Sequence, residues 1–262
     1  MSGRTRSPAA AGTFYPADPE ELRRIVDSLL AAVPARTGGD GGAPVALVAP
    51  HAGYVYSGAT AAAALALLPP RARVALLGPS HFVPLDGCAV SGADGWATPL
   101  GTVPVADDLR DAAVAAGAVV DDRPHARDHA LEVELPFLQR VCREGVEIVA
   151  VAVGRSPAAD AARVVAALAA DATVVVSTDL SHYLDGASAR RVDRATAAAV
   201  LARDASAIGV HDACGVFALR GLVEHARRAG WEPRLLDLRT SADATGDDRS
   251  VVGYGAFAFV GA

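Results

Sequence analysis

The chain has no lysine. All 24 basic residues are arginine, set against 30 acidic ones, for a formal net charge of −6 over 262 residues. A Walker-type phosphate loop is excluded, because its lysine has no counterpart. With an isoelectric point near 5.6, nothing basic is left over to neutralise a nucleic-acid backbone. Cysteine is scarce as well: Cys88, Cys142 and Cys214 form an odd set without paired spacing, which suits a reducing cytoplasm and not a disulfide framework. No apolar run approaches the roughly 18 residues that a membrane span needs. The basic stretch Met1 to Pro8 leads into Phe14-Tyr15-Pro16 and the acidic Asp18 to Glu21, and not into an apolar segment, so no signal peptide is expected. A Gly-x-Ser-x-Gly elbow is missing, which leaves a serine hydrolase mechanism unsupported. The glycines Gly38, Gly39, Gly41 and Gly42 precede a strand instead of joining one to a helix, so they form no phosphate loop.

What is present is apolar and small. Hydrophobic residues make up 52% of the chain and aromatics only 5%, a balance that excludes disorder. Alanine fills 59 positions, a usage typical of GC-rich coding, so alanines carry no functional reading and the sparse His, Cys and Tyr stand out. A first helix is expected from Asp18 as N-cap, with Pro19 in the first turn, to about Val33. Pro34 to Ala43 reads as an exposed loop. Strand-like runs follow at Val45–Val48, Val74–Leu77, Val146–Val153, Val174–Val176, near Leu235 and at Val251–Phe259. Helical patterns lie between them at Ala59–Leu68, Leu109–Ala116, His129–Arg143, Ala158–Ala170, Ala187–Ala202 and Cys214–Ala229. Continuous apolar strands alternating with helices predict one α/β domain over residues 1–262. Its central sheet would be mixed or parallel, with helices on both faces.

Three of the seven histidines occupy equivalent places. His51, His81 and His182 each lie just past a short apolar strand, in a turn containing Pro, Gly or Ser. If those strands are parallel, all three emerge at the carboxyl edge of the sheet, where open α/β folds bind ligands. Asp179 precedes His182 on the same turn. Cys214 opens a helical run, where the helix dipole favours thiolate; it reads as a soft metal ligand, a nucleophile or a small buried residue. Cys88 and Cys142 read as buried apolar residues. His125, Asp128, His129 and Glu132 form a further cluster, either pocket wall behind a metal or ordinary residues at a helix start. His211 and His225 have no motif.

These segments closely resemble the Memo family, whose bacterial members are called AmmeMemoRadiSam system protein B. The matching blocks are Ala11 to Pro16, Pro50-His51-Ala52-Gly53-Tyr54 with Tyr56-Ser57-Gly58, Gly78-Pro79-Ser80-His81 and Thr98 to Gly101. Further blocks are His129 to Glu132 with Leu135 to Leu138, Asp179 to Tyr183, Cys214-Gly215 and Val251 to Tyr254. The resemblance implies a fold like that of the class III extradiol (LigB-like) dioxygenases. It implies a non-haem metal held by His51, His81 and Cys214, with Fe(II) favoured over Cu or Zn. His182 would act in proton transfer, oriented by Asp179, and Tyr54, Ser181, Tyr183 and His129 would wall the substrate pocket. The dioxygenases use a carboxylate where Cys214 stands here. The resemblance also implies radical-SAM and AMMECR-type partner proteins. The readings to separate are an iron-dependent oxidoreductase acting on a small molecule, a non-catalytic adaptor keeping a vestigial pocket, and a metal-free hydrolase using Cys214 with His182 and Asp179.

Overall fold

A computed structural model describes residues 4–34 and 42–261, so the expected glycine-rich loop lies outside the described residues over 35–41. In chain order the first elements are β1 (Thr5–Arg6), α1 (Pro19–Ala31), β2 (Pro44–Ala49), α2 (Tyr54–Leu65), β3 (Arg71–Gly78), β4 (Cys88–Val90), β5 (Gly95–Thr98) and β6 (Gly101–Pro104). There follow α3 (Asp107–Ala115), β7 (Val119–Val120), α4 (Leu135–Val141), β8 (Gly145–Val153), α5 (Ala158–Leu168) and β9 (Thr173–Ser177). The chain finishes with β10 (His182–Leu184), α6 (Gly186–Leu201), α7 (Val216–Ala229), β11 (Glu232–Thr240), α8 (Ala242–Thr245) and β12 (Val251–Val260).

β2, β9, β3 and β8 lie side by side in that order, all parallel. β12 runs antiparallel beside β2 and also pairs β11 and the short β10. Past β8 the sheet continues with antiparallel β4 and then β7, while β1, β5 and β6 form a second, small sheet. The result is one α/β domain with a mixed sheet flanked by helices, as the alternation of runs predicted. Strand side chains point alternately into two cores. Ala46, Val48, Ala75, Leu77, Val149, Val151, Val174 and Val176 join one, while Leu47, Ala49, Val74, Leu76, Ile148, Ala150 and Val175 join the other. The first core is closed by α3, α5, α6 and α7, the second by α1, α2 and α4. Burial on both faces is why these strands read as unbroken apolar runs.

Local chemistry sets the ends of the helices. Asp18 caps α1 by accepting from the N–H groups of Glu20 and Glu21 at 3.0 and 2.8 Å, with Pro19 in the first turn, as expected. The expected helix over His129–Arg143 shortens to α4. Pro136 cannot sit inside a helix without losing a backbone hydrogen bond, so the helix begins at Leu135 and residues before it form turns. The expected Ala59–Leu68 helix starts earlier, at Tyr54, directly after Gly53, and Pro69-Pro70 disfavour helix in the residue ahead of them. α7 starts at Val216, so Cys214 lies in the turn before it. Cys88 and Cys142 are buried, and burial pushes both thiols up to about 11, in keeping with their reading as apolar residues.

The N-terminal segment crosses the second core as a strap tied to one carboxylate. Glu132, fully buried, accepts from Arg6 Nη1 at 2.6 Å, the Ala9 and Ala10 N–H groups at 2.7 and 2.8 Å, and the Tyr15 hydroxyl at 2.5 Å. Arg6 also donates to the carbonyls of His125 and Asp128 and lies 4.2 Å over the Trp96 ring. Among the described residues no helix is long and apolar enough to cross a membrane.

Candidate metal centre

Because β2, β9 and β3 are parallel neighbours, the turns that follow them meet at one edge. His51 follows β2, residues 178–182 follow β9, and His81 follows β3. His51 is fully buried. Its backbone N–H donates to Asp179 Oδ1 at 2.8 Å, and its Nδ1 lies 2.8 Å from Ser177 Oγ. His81 is held by Asp128, which accepts from its backbone N–H at 2.6 Å and sits 3.0 Å from its Nδ1. A carboxylate can only accept, so His81 Nδ1 carries the proton of this contact and Nε2 is the nitrogen left for another partner.

The third imidazole is His129. Its ring stacks on His81 at 4.7 Å with 8° between planes, meets His51 edge-on at 5.4 Å, and is covered on its other side by Phe14 at 4.0 Å. The donor nitrogens of His51, His81 and His129 lie within 4.8 Å of one another, a group able to hold a metal ion. Burial, then the neighbouring His81 and His129, hold His51 well below the usual imidazole range; burial and His81 bring His129 down to about 4. At neutral pH both are uncharged donors converging on one point, which is the state a metal needs.

Cys214 lies beside this group. Its Sγ is 3.3 Å from His51 Nε2, accepts from the Asp179 N–H at 3.3 Å and is 3.6 Å from Thr178 Oγ1. The sequence suggested a thiolate, but burial and the nearby Asp179 push the thiol up to about 12. The half-charge of a helix terminus does not offset desolvation this complete. Without a cation beside it, Cys214 is a neutral thiol. This removes the basis of a hydrolase using Cys214 as a free nucleophile, and the nearest imidazole is His51, not His182.

Asp179 and His182 also differ from expectation. Asp179 does not orient His182: its carboxylate faces the His51 backbone, while His182 Nδ1 is bound to the Leu180 carbonyl at 2.7 Å. Burial raises the Asp179 carboxyl to about 7 and lowers His182 below its usual range. Tyr54 spends its hydroxyl on the Val133 carbonyl at 2.7 Å and is buried, so it supports the floor of the site. Ser181 is buried behind the turn, its N–H bound to Asp193 at 3.0 Å. Tyr183 is 78% exposed and adopts φ +58, a left-handed backbone that is rare for a residue with a side chain. It helps wall a cavity of about 480 Å³ with Ala52, Gly53, Tyr56, Val252 and Tyr254.

Sequence reasoning placed His129 and Asp128 in a cluster read as pocket wall behind a metal or ordinary helix-start residues, and left Phe14, Ser177 and Glu134 without roles at the site. The spacing of Asp128, His129, Glu132 and Glu134 just before a short helix was the available signal. Four inward-facing polar residues ahead of Pro136 belong to a turn, not a solvated helix face.

A family profile described as "Memo-like protein" matches residues 6–258. The chain is similar to proteins named "MEMO1 family protein" over nearly all of its length. The relative from Aquifex aeolicus is 34% identical, covering 96% of this chain and 97% of its own. That from Aeropyrum pernix is 36% identical, covering 95% and 97%. One from Methanopyrus kandleri is 35% identical, covering 97% and 98%.

Proposed function

The chain belongs to the Memo family, and from that premise we propose that it is a metal-dependent oxidoreductase, with ferrous iron held at the strand tips and a small organic substrate in the adjoining cavity. The observation that carries this reading is the convergence of the donor nitrogens of His51, His81 and His129 within 4.8 Å of one another, two of the rings being held by acceptors on their outer side. The donor chemistry fits. Imidazole suits iron, copper and zinc, and the Cys214 thiol beside His51 adds a soft donor once a cation displaces its proton. His51 and His81 are the core of the set, with Cys214 and His129 flanking them. The N–H of Asp179 points at Sγ and would stabilise it as thiolate, while the Thr178 hydroxyl donates to the Asp179 carbonyl at 2.8 Å. When bound, iron would supply redox chemistry and open positions for oxygen or substrate. His182, with Nδ1 committed to Leu180, keeps Nε2 free to take a proton from a substrate hydroxyl. Phe14 covers one face of His129, and Phe82 meets His81 and His129 edge-on.

Anaerobic reconstitution with Fe(II), Cu(I) or Zn(II), followed by metal quantification and oxygen-uptake assays against catechols, tests the reading. One Fe(II) per chain and substrate-dependent uptake are expected. Wild-type iron content in a His81→Ala, Cys214→Ala double variant overturns the site.

One observation favours a second reading, an adaptor docking radical-SAM and AMMECR-type proteins. Val55 at 74%, Tyr56, Phe82 and Tyr183 are exposed apolar side chains, each within a few residues of His51, His81 or His182 in the chain. Co-purification of those partners by the double variant, without any oxygen uptake by the wild type, selects it.

A further inference from the structure

Glu134 is fully buried and makes no ion pair among the described residues. Its Oε1 is 2.8 Å from Ser177 Oγ, and its Oε2 has no hydrogen-bond partner among the described residues. Ser177 Oγ is a crowded atom: it also lies 2.7 Å from the carbonyl of Ala130 and 2.8 Å from His51 Nδ1. A hydroxyl owns one proton and two lone pairs. The buried Ala130 carbonyl can only accept, and Ser177 is the partner facing it. With the hydroxyl proton on that carbonyl, the other two contacts close only if each partner brings its own proton. A Glu134 carboxylate would compete with Ala130 for the single proton, leaving two bare oxygens in contact and an unpaired charge in the core, a costly state. With Glu134 as the acid, Ser177 donates once and accepts twice, and His51 carries its proton on Nδ1.

We propose that Glu134 is a carboxylic acid that stays protonated at neutral pH, a positioning residue that locks Ser177 and thereby holds His51 as the Nδ1–H tautomer with Nε2 presented to the metal. Burial, which lifts this carboxyl to about 8, agrees with the proton count. Glu132, the other buried glutamate, is its opposite: it faces Arg6 and three further donors, an environment built for a carboxylate. Two glutamates two residues apart in one turn thus meet opposite surroundings, one ringed by donors and the other facing a hydroxyl already committed elsewhere. The value of the tautomer for metal binding rests on the function proposed above, while the protonation state does not.

The test reads the metal-free protein. Infrared spectra at pH 6 of the chain with and without ¹³C-glutamate should show a carboxylic-acid carbonyl band that shifts with the label and disappears in Glu134→Gln. Absence of a glutamate-sensitive acid band in the wild type overturns the proposal and needs no variant to fold. ¹⁵N-histidine spectra should show His51 protonated on Nδ1; a proton on Nε2 also overturns it. For Zn(II) binding by competition, Glu134→Gln, whose amide still donates to Ser177, should stay within about threefold of wild type, whereas Glu134→Ala should lose about 10- to 100-fold. Equal losses in both variants would show that a carboxylate is required and refute the acid. If the infrared and ¹⁵N results hold but no variant or wild type binds metal, the proposed function fails and the protonation assignment stands.

Discussion

Replacing Glu132 with alanine probes the strap that closes the site. The substitution removes the partner of Arg6, itself buried, together with the acceptor for two backbone N–H groups and the Tyr15 hydroxyl. Removing one side of a buried ion pair costs about 3–5 kcal/mol, most of it the charge left behind. The individual hydrogen bonds are not added to this, because Arg6 keeps the carbonyls of His125 and Asp128 at 2.7 and 2.6 Å and water can enter the vacated space. For a chain of this size each kcal/mol lowers Tm by roughly 2–4 °C, so a fall of roughly 6–20 °C is expected. Urea unfolding monitored by circular dichroism gives the free energy, and scanning calorimetry gives Tm. The strap also carries Phe14, which covers His129, so limited proteolysis should nick the variant between Ala9 and Pro16 sooner than the wild type. A loss below about 1 kcal/mol, with unchanged proteolysis, would refute the claim that this carboxylate ties down the segment.

Two further outcomes follow from the site and its surroundings. Asp128→Ala should weaken Zn(II) binding by about 10- to 100-fold in a competition titration, because His81 loses the acceptor that fixes its ring; unchanged affinity would show the orientation to be dispensable. His125, held down to about 4 by burial against an ordinary 6.5, is accepted by the fold only when neutral, so its stabilisation is complete above pH 6.5 and is lost as pH falls toward 4. Between pH 7 and pH 5 the wild type should lose about 2 kcal/mol more in urea unfolding than His125→Gln, and equal losses would exclude the effect.

The strands and most helices were legible because burial on both faces of the sheet leaves apolar runs that turns interrupt. The same order of elements put His51, His81 and His182 at the strand tips, since parallel neighbours must end together. What escaped the sequence was contact between remote segments. Phe14 meets His129 only because the strap folds over the second core, and nothing local to either residue announces it. Charge states escaped for a related reason. A helix start argued for thiolate at Cys214, but the depth of the turn and the proximity of Asp179 decide otherwise. The pairing of Asp179 with His182 looked natural from their spacing, yet the turn sends the carboxylate back to His51 and gives His182 to a carbonyl. Pro136 was visible and should have limited the helix that His129 was placed in.

The cluster draws each imidazole and the thiol from a different stretch of chain, and these stretches become neighbours only through pairings such as β2 with β9 and β3 with β9. Such non-local parallel pairings form late in folding, because long loops must close first. If the site proposed above takes an ion, that ion would not gather the chain around it, as happens in a zinc module that folds on its metal, but would enter once the sheet is complete. The choice of ion would then be set by which one reaches a finished, preformed pocket.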